Sequence, residues 1–382
     1  MVFVGKMMAV IFARVAYSVL RLAGWKRKTV LANAKHVADA VPQSNLGAFP
    51  DAVSVAKQDA PNVVMPGVFQ KSSNVANPGA FSTAPNATPD ALAAAPICYE
   101  ELLKNLTRHA SELLFCFGTF KRLPVDFSKY PCRVDGWNFA LDEAAIPVLE
   151  KMRSGGIFLT AHYGNYEAMG PWLCRLGIPL VASYIPVKPK WLNNILERKI
   201  RAVDGRSYSV DARTPRDFLC LLNDGKLFCL LADQDSRIPS ALPGTFLGRP
   251  ANVNPLPDFL LKHRPQTPVY ICWMEERRAF SGGAFSKGTS PSERRKVRVL
   301  HAIEVERAQV AGSAQFDVAS PAHLASPAHS SSSIVNSAHS PSQSSVVNVQ
   351  FNKWLEERIA ENPNLWYGFT HRRFYSQSPT IY

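Results

Sequence analysis

No run of eighteen or more apolar residues occurs in this 382-residue chain, which excludes a polytopic membrane protein. No Gly-x-Ser-x-Gly stands in it, which argues against a hydrolase working through a seryl intermediate. Charge is scarce, at 19% of residues, where soluble domains carry about a quarter. With 46% hydrophobic residues the chain is too apolar to be disordered throughout. Its seven cysteines, at 98, 116, 132, 174, 220, 229 and 272, are odd in number and include no Cys-x-x-Cys pair. Several sit in apolar runs, as Cys229 does. The pattern predicts buried, reduced thiols and speaks against a disulfide framework or a zinc site.

Acidic residues are missing from the first 38 positions, while seven Lys and Arg stand there. On a helix, Lys6, Arg14, Arg21 and Lys28 fall within about 80° of one another, and Met8, Ile11, Phe12, Val15 and Val19 lie on the remaining face. Residues 1–30 are therefore expected to form a basic amphipathic helix lying in the interface of an anionic membrane. A spanning anchor with snorkelling arginines and a cleaved signal peptide are the other readings. No Ala-x-Ala-like cleavage site clearly follows the apolar run. The overall charge of +13 fits acidic partners.

Two segments read as insertions. Residues 41–96 hold eight prolines and five charged residues, with no persistent period, as a Pro/Ala-rich loop or linker would. Residues 307–345 contain 12 serines and a small Ser-Pro-Ala-His repeat. Their histidines, His323, His329 and His339, have no carboxylate or cysteine beside them, so low complexity explains them better than metal binding.

The rest alternates. Helical spacing covers 99–117, 144–153, 165–176, 191–203, 215–223, 255–262 and 351–360. Short apolar runs at 157–161, 180–184, 227–232 and 269–274 read as buried strands, and 296–306 as an edge or hairpin strand. This predicts an α/β fold, a mostly parallel sheet flanked by helices.

Chemistry concentrates at Thr160-Ala161-His162-Tyr163-Gly164-Asn165-Tyr166-Glu167. A histidine ends a buried strand, Gly164 lets the chain turn, and Glu167 falls in the first turn of a helix. Ligands sit at this edge of open α/β sheets. Backbone N–H groups at the helix start, around Gly164 and Asn165, could face an oxyanion. Neutral His162 could take the proton of a hydroxyl attacking a carbonyl, with Glu167 fixing the imidazole tautomer. No third ligand lies nearby to make His162 and Glu167 a metal site, and none is expected.

The His162-x4-Glu167 block resembles that of the bacterial lipid A late (lauroyl/myristoyl) acyltransferases, which read His-Phe-Gly-Asn-Trp-Glu. Further blocks agree in order: Val134-Asp135-Gly136, Asp233-Gln234-Asp235 after the third strand, Phe246-Leu247-Gly248-x-x-Ala251, and Asn364–Phe374 ending on His371-Arg372-Arg373-Phe374. After the second strand the family has Tyr-Arg-Pro, where this chain has Tyr184-Ile185-Pro186.

The resemblance implies a glycerolipid-acyltransferase-like α/β domain over 97–306, completed by a C-terminal helix and tail at 346–382. It implies direct transfer of a fatty acyl group from acyl carrier protein to a hydroxyl of a membrane glycolipid, with no cofactor. It also implies a place at the cytoplasmic face of the bacterial inner membrane; nucleic acid is not an expected partner. Catalytic residues are then His162 and Glu167. Gly164, Asn165, Arg201, Asp233, Gln234 and Asp235 are the substrate-binding candidates, with Asp233 and Asp235 either orienting Arg or His groups or capping a turn. Trp172, Trp191 and Phe228 are candidates for closing a hydrocarbon groove. The rival readings are an acyl-CoA-dependent lysophospholipid or glycerol-phosphate acyltransferase, and a non-catalytic membrane-binding homologue.

Overall fold

The computed structural model describes residues 2–40, 97–184, 186, 188–278, 296–307 and 344–382. The 41–96 segment, Ile185, and most of 307–345 with its three histidines lie outside the described residues.

In chain order the helices are α1 (Val2–Leu22), α2 (Arg27–Ala38), α3 (Tyr99–Phe120), α4 (Ile146–Met152), α5 (Tyr166–Arg175), α6 (Lys190–Ile195), α7 (Pro215–Asn223), α8 (Leu256–His263) and α9 (Ser344–Glu361). The strands are β1 (Cys132–Val134), β2 (Trp137–Leu141), β3 (Gly156–Thr160), β4 (Leu180–Ser183), β5 (Ala202–Val203), β6 (Arg206–Ser207), β7 (Ser209–Val210), β8 (Leu227–Leu231), β9 (Leu242–Phe246), β10 (Arg249–Val253), β11 (Val269–Arg278) and β12 (Lys296–Glu304).

Eight strands form one sheet in the order β1-β2-β12-β11-β3-β8-β4-β7. Five of its seven neighbour pairs are parallel; β1–β2 and β11–β12 are the antiparallel ones. The expected α/β class is thus present. β3 is buried along its whole length, which is why it reads as an unbroken apolar run. Its side chains alternate between two cores. Ile157, Leu159 and Ala161 face α7, α8 and α9 through Phe218, Leu260 and Trp354. Phe158 faces α4 and α5 through Met152 and Trp172.

Four expectations change. Residues 296–306 do form a hairpin strand with β11, but β12 is interior, because β2 pairs on its far side. The helix expected over 191–203 is shorter: α6 gives way to a π-helical turn at Leu196–Ile200, and Arg201 N–H bonds Leu196 O at 2.7 Å. The helix expected over 1–30 breaks after Leu22 at Gly24 and Lys26, both at positive φ, and α1 and α2 are bent by 78°. No single described helix is long and apolar enough to cross a membrane. The thiols are all free, as expected, but only Cys116 and Cys272 are buried; Cys132, Cys174 and Cys229 are partly exposed, and Cys98 and Cys220 are exposed.

The β1–β2, β5–β6 and β9–β10 hairpins turn on Asp135-Gly136, Asp204-Gly205 and Leu247-Gly248, each pair with φ between 50° and 78°. Positive φ at both central residues follows the right-handed twist of a hairpin, and Asp-Gly suits it. Two of the sequence blocks that carry the family resemblance, 134–136 and 246–251, therefore contain tight turns.

α1 packs along α3, with Phe12 and Phe115 rings 5.4 Å apart. Its small residues Ala9, Ala13 and Ala16 face the body. Lys6 lies over Trp137 at 5.5 Å and Arg21 pairs with Glu100 at 2.9 Å. Met8, Ile11, Val15, Val19 and Leu22 point away and are 40–86% exposed.

Candidate active site

β3 and β8 are adjacent and parallel, with Thr160 opposite Leu231. Two residues further on, His162 and Asp233 leave the carboxyl ends of these strands side by side. Asp233 Oδ1 accepts from His162 Nδ1 at 2.8 Å, and Oδ2 accepts from His162 N–H at 3.1 Å and from Trp366 Nε1 at 2.8 Å. Asp233 is 1% exposed. Burial raises its pKa, but the His162 charge and these hydrogen bonds outweigh that and hold it at about 2. A carboxylate on Nδ1–H fixes the tautomer that leaves Nε2 as the acceptor.

The C-terminal segment locks the loop after β3. Tyr367 N–H donates to His162 O at 2.8 Å, and Gly164 N–H donates to Leu365 O at 2.9 Å. Gly164 sits at φ +59°, where a Cβ would stand 3.1 Å from Met274 O, so the turn needs glycine.

His162 opens into a cleft of about 860 Å3. Its walls are mostly apolar, with Phe158, Met169, Leu180, Ala182, Phe218 and Leu231 among them. Glu167, Arg201, Tyr208 and Gln234 are among its polar groups. Glu167 is gripped by Arg201, Nη2 to Oε1 at 2.5 Å and Nε to Oε2 at 3.3 Å. Arg201 also lies 5.1 Å over the Tyr184 ring. Arg201 Nη1 and Tyr208 OH are buried with no hydrogen-bond partner among the described residues. Burial lowers the Arg201 pKa, but the Glu167 charge and hydrogen bond raise it by more, so the cation is secure.

Burial also lowers the His162 pKa. The charge and hydrogen bond of Asp233, with the Glu167 charge behind them, more than offset this and raise it above 6.5. The Tyr166 ring stands 4.9 Å away and the His371 ring 5.7 Å away. Gln234 Nε2 approaches His162 Nε2 at 3.4 Å.

Several sequence expectations shift. The carboxylate that holds His162 is Asp233, because parallel register brings it there, whereas Glu167, in the first turn of α5, is in the grip of Arg201. Gly164 N–H is spent on Leu365 O, so it cannot face an oxyanion. Asn165 turns away from the cleft and donates to Glu112 Oε2 at 3.3 Å. Asp235 ties down the C-terminal segment, accepting from Ser376 N and Oγ at 3.1 and 2.8 Å, and pairs with Arg237. It does not line the cleft. Trp172 is buried between Tyr130 and Phe139, Trp191 is 63% exposed, and Phe228 packs on Phe218; none of them lines the cleft. Of the substrate-binding candidates, Arg201 and Gln234 line the cleft.

Two residues of the site had no sequence signal beyond their neighbourhood. Tyr208 follows a β5–β6 hairpin that only the Asp204-Gly205 pair foretells. Trp366 reaches Asp233 from 133 positions away. No family model matches the chain, and no curated protein matches it.

Proposed function

We propose that the protein is a membrane-associated O-acyltransferase that moves a fatty acyl chain from an acyl carrier protein thioester to a hydroxyl of a membrane glycolipid, as the resemblance to the lipid A late acyltransferases implies. The observation that carries this reading is His162, its Nδ1 held by buried Asp233 and its ring facing a large apolar-walled cleft. Such a cleft fits a hydrocarbon chain.

In this reading His162 Nε2 takes the proton of the acceptor hydroxyl. The hydroxyl oxygen bonds to the thioester carbonyl carbon, and the carbonyl oxygen becomes an oxyanion. Arg201 Nη1 and Tyr208 OH, both without a hydrogen-bond partner among the described residues, are donors for that oxyanion or for an acceptor phosphate. Collapse breaks the C–S bond, and the thiolate takes the proton from His162. Glu167 keeps Arg201 in place and adds to the field that stabilises the imidazolium.

Membrane association is supported by α1, which leaves Met8, Ile11, Val15, Val19 and Leu22 exposed on one face. A soluble protein rarely exposes such a patch. The net charge of +13 suits an acidic carrier protein and anionic lipid.

The test is a membrane-fraction assay with radiolabelled acyl-acyl carrier protein, acyl-CoA in parallel, and extracted total lipid. A labelled glycolipid formed from the carrier-protein donor is the expected product. Label moved only from acyl-CoA, into a lysophospholipid or glycerol phosphate, would transfer the proposal to that class. Lipid binding with no transfer from either donor would leave a non-catalytic membrane protein.

A pH profile follows from the raised pKa of His162. Imidazolium cannot accept a proton, so only the neutral ring works as base. Transfer is expected to fall on the acid side with a midpoint above 6.5. A midpoint below that value, or no acid limb, would count against His162 as the base.

A further inference from the structure

Away from the cleft, a second cavity of about 600 Å3 lies between α1, α3 and the β2–β12 side of the sheet. Six cationic residues line it, Lys6, Arg14, Lys104, Arg108, Lys296 and Arg298, against two carboxylates, Glu112 and Glu276. Arg108, Lys296 and Arg298 share those two carboxylates at 2.7–3.5 Å. Arg298 is stacked 3.6 Å from the Trp137 ring centre and is 8% exposed, so its charge is fixed in the wall. Lys104 pairs with Glu101 at the rim. Arg14 forms no ion pair among the described residues. Six cations thus stand against two carboxylates in the wall, with a third carboxylate, Glu101, on Lys104 at the rim.

The space exists because α1 presents Ala9 and Ala13 there. Val10 lines the cavity and is also 51% exposed, so the opening is continuous with the apolar face of Ile11, Val15 and Val19. A basic cavity beside an exposed apolar helix face matches one kind of ligand, an amphiphile with an anionic head. We propose that this cavity binds the phosphate headgroup of an anionic phospholipid of the bilayer, with the acyl chains lying along the outer face of α1. The proposal rests on the membrane placement of α1 given above, and not on acyl transfer.

The probe is dihexanoylphosphatidylglycerol below its micelle concentration, titrated calorimetrically into the full chain. Dihexanoylphosphatidylcholine and inorganic phosphate are titrated in parallel. Saturable binding of the phosphatidylglycerol, tighter than either comparison, is expected. The double variant Arg14→Gln/Lys104→Gln should weaken it by roughly tenfold or more, given what each basic residue contributes near an anionic lipid. Ala13→Leu, which fills the cavity without changing charge, should weaken it too. Lys28→Gln/Lys35→Gln on α2, with the same loss of charge outside the cavity, should not.

Equal binding of inorganic phosphate would make this a free-anion site and overturn the lipid assignment. Equal binding of phosphatidylcholine, indifference to the cavity variants, or no saturable binding would also overturn it. Sedimentation with neutral phosphatidylcholine vesicles separates this from the membrane reading. A chain that pellets with them yet ignores short-chain phosphatidylglycerol keeps the membrane reading and loses the headgroup site. A chain that does neither loses both.

Discussion

His162→Ala is expected to cut acyl transfer by about 10²–10⁴-fold, the usual contribution of a positioned general base. The ring nitrogen that faces the cleft disappears, and nothing in the cleft replaces it. Tyr208 is pushed well above its ordinary pKa by burial and by Glu167, so it is a donor and no base. Glu167 is committed to Arg201. The variant should still fold. Asp233 loses one of three hydrogen bonds but keeps the backbone N–H of residue 162 and the Trp366 indole. The stability lost with that bond is about 1–3 kcal/mol. Radiolabel transfer by wild type and variant, with a thermal melt on each, makes the comparison. Equal transfer by the two proteins would remove His162 from the mechanism.

Asp233→Asn is the second large effect, and it tests the geometry more sharply. The amide is nearly isosteric. Its oxygen can keep the His162 N–H and Trp366 bonds, which turns its NH2 toward His162 Nδ1. That nitrogen must then accept, so the ring proton moves to Nε2, the atom that has to be free. The tautomer is wrong while the fold is intact. Loss of rate on the order of 10³–10⁴ is expected, with little change in KM. The acid limb of the pH profile should also move down, since the carboxylate that raised the His162 pKa is gone. If Glu167 set the tautomer instead, Asp233→Asn would leave the rate within a few fold and the limb in place.

The parallel sheet was legible because its strands carry their own signature. β3 and β8 are short, uncharged and bounded by Gly155-Gly156 and Asp224-Gly225. His162 was legible because it sits at a strand end before a glycine turn. Its partner was visible too, as Asp233 after the third strand, but its role was not. Which strand lies beside which is a tertiary fact, and chain order does not give it. Glu167 is near His162 in sequence and looks like the partner. Asp233 is 71 positions away and is the partner. The π-helical turn that ends α6 was equally hidden, since 191–203 keeps an apolar helical period. The Asp-Gly pairs at 135–136 and 204–205 carry hairpin turn chemistry in the sequence itself.

The bond between Trp366 and Asp233 also sets an order of events in time. A ribosome adding roughly 5–20 residues per second needs about 7–27 s to pass from Asp233 to Trp366, 133 positions later. Over that interval the sheet edge can form, but the loop at His162 lacks the backbone bonds from Leu365 and Tyr367. A nascent chain thus carries its base and its carboxylate for many seconds before both are held. Completion of the tail is what fixes the loop that carries His162.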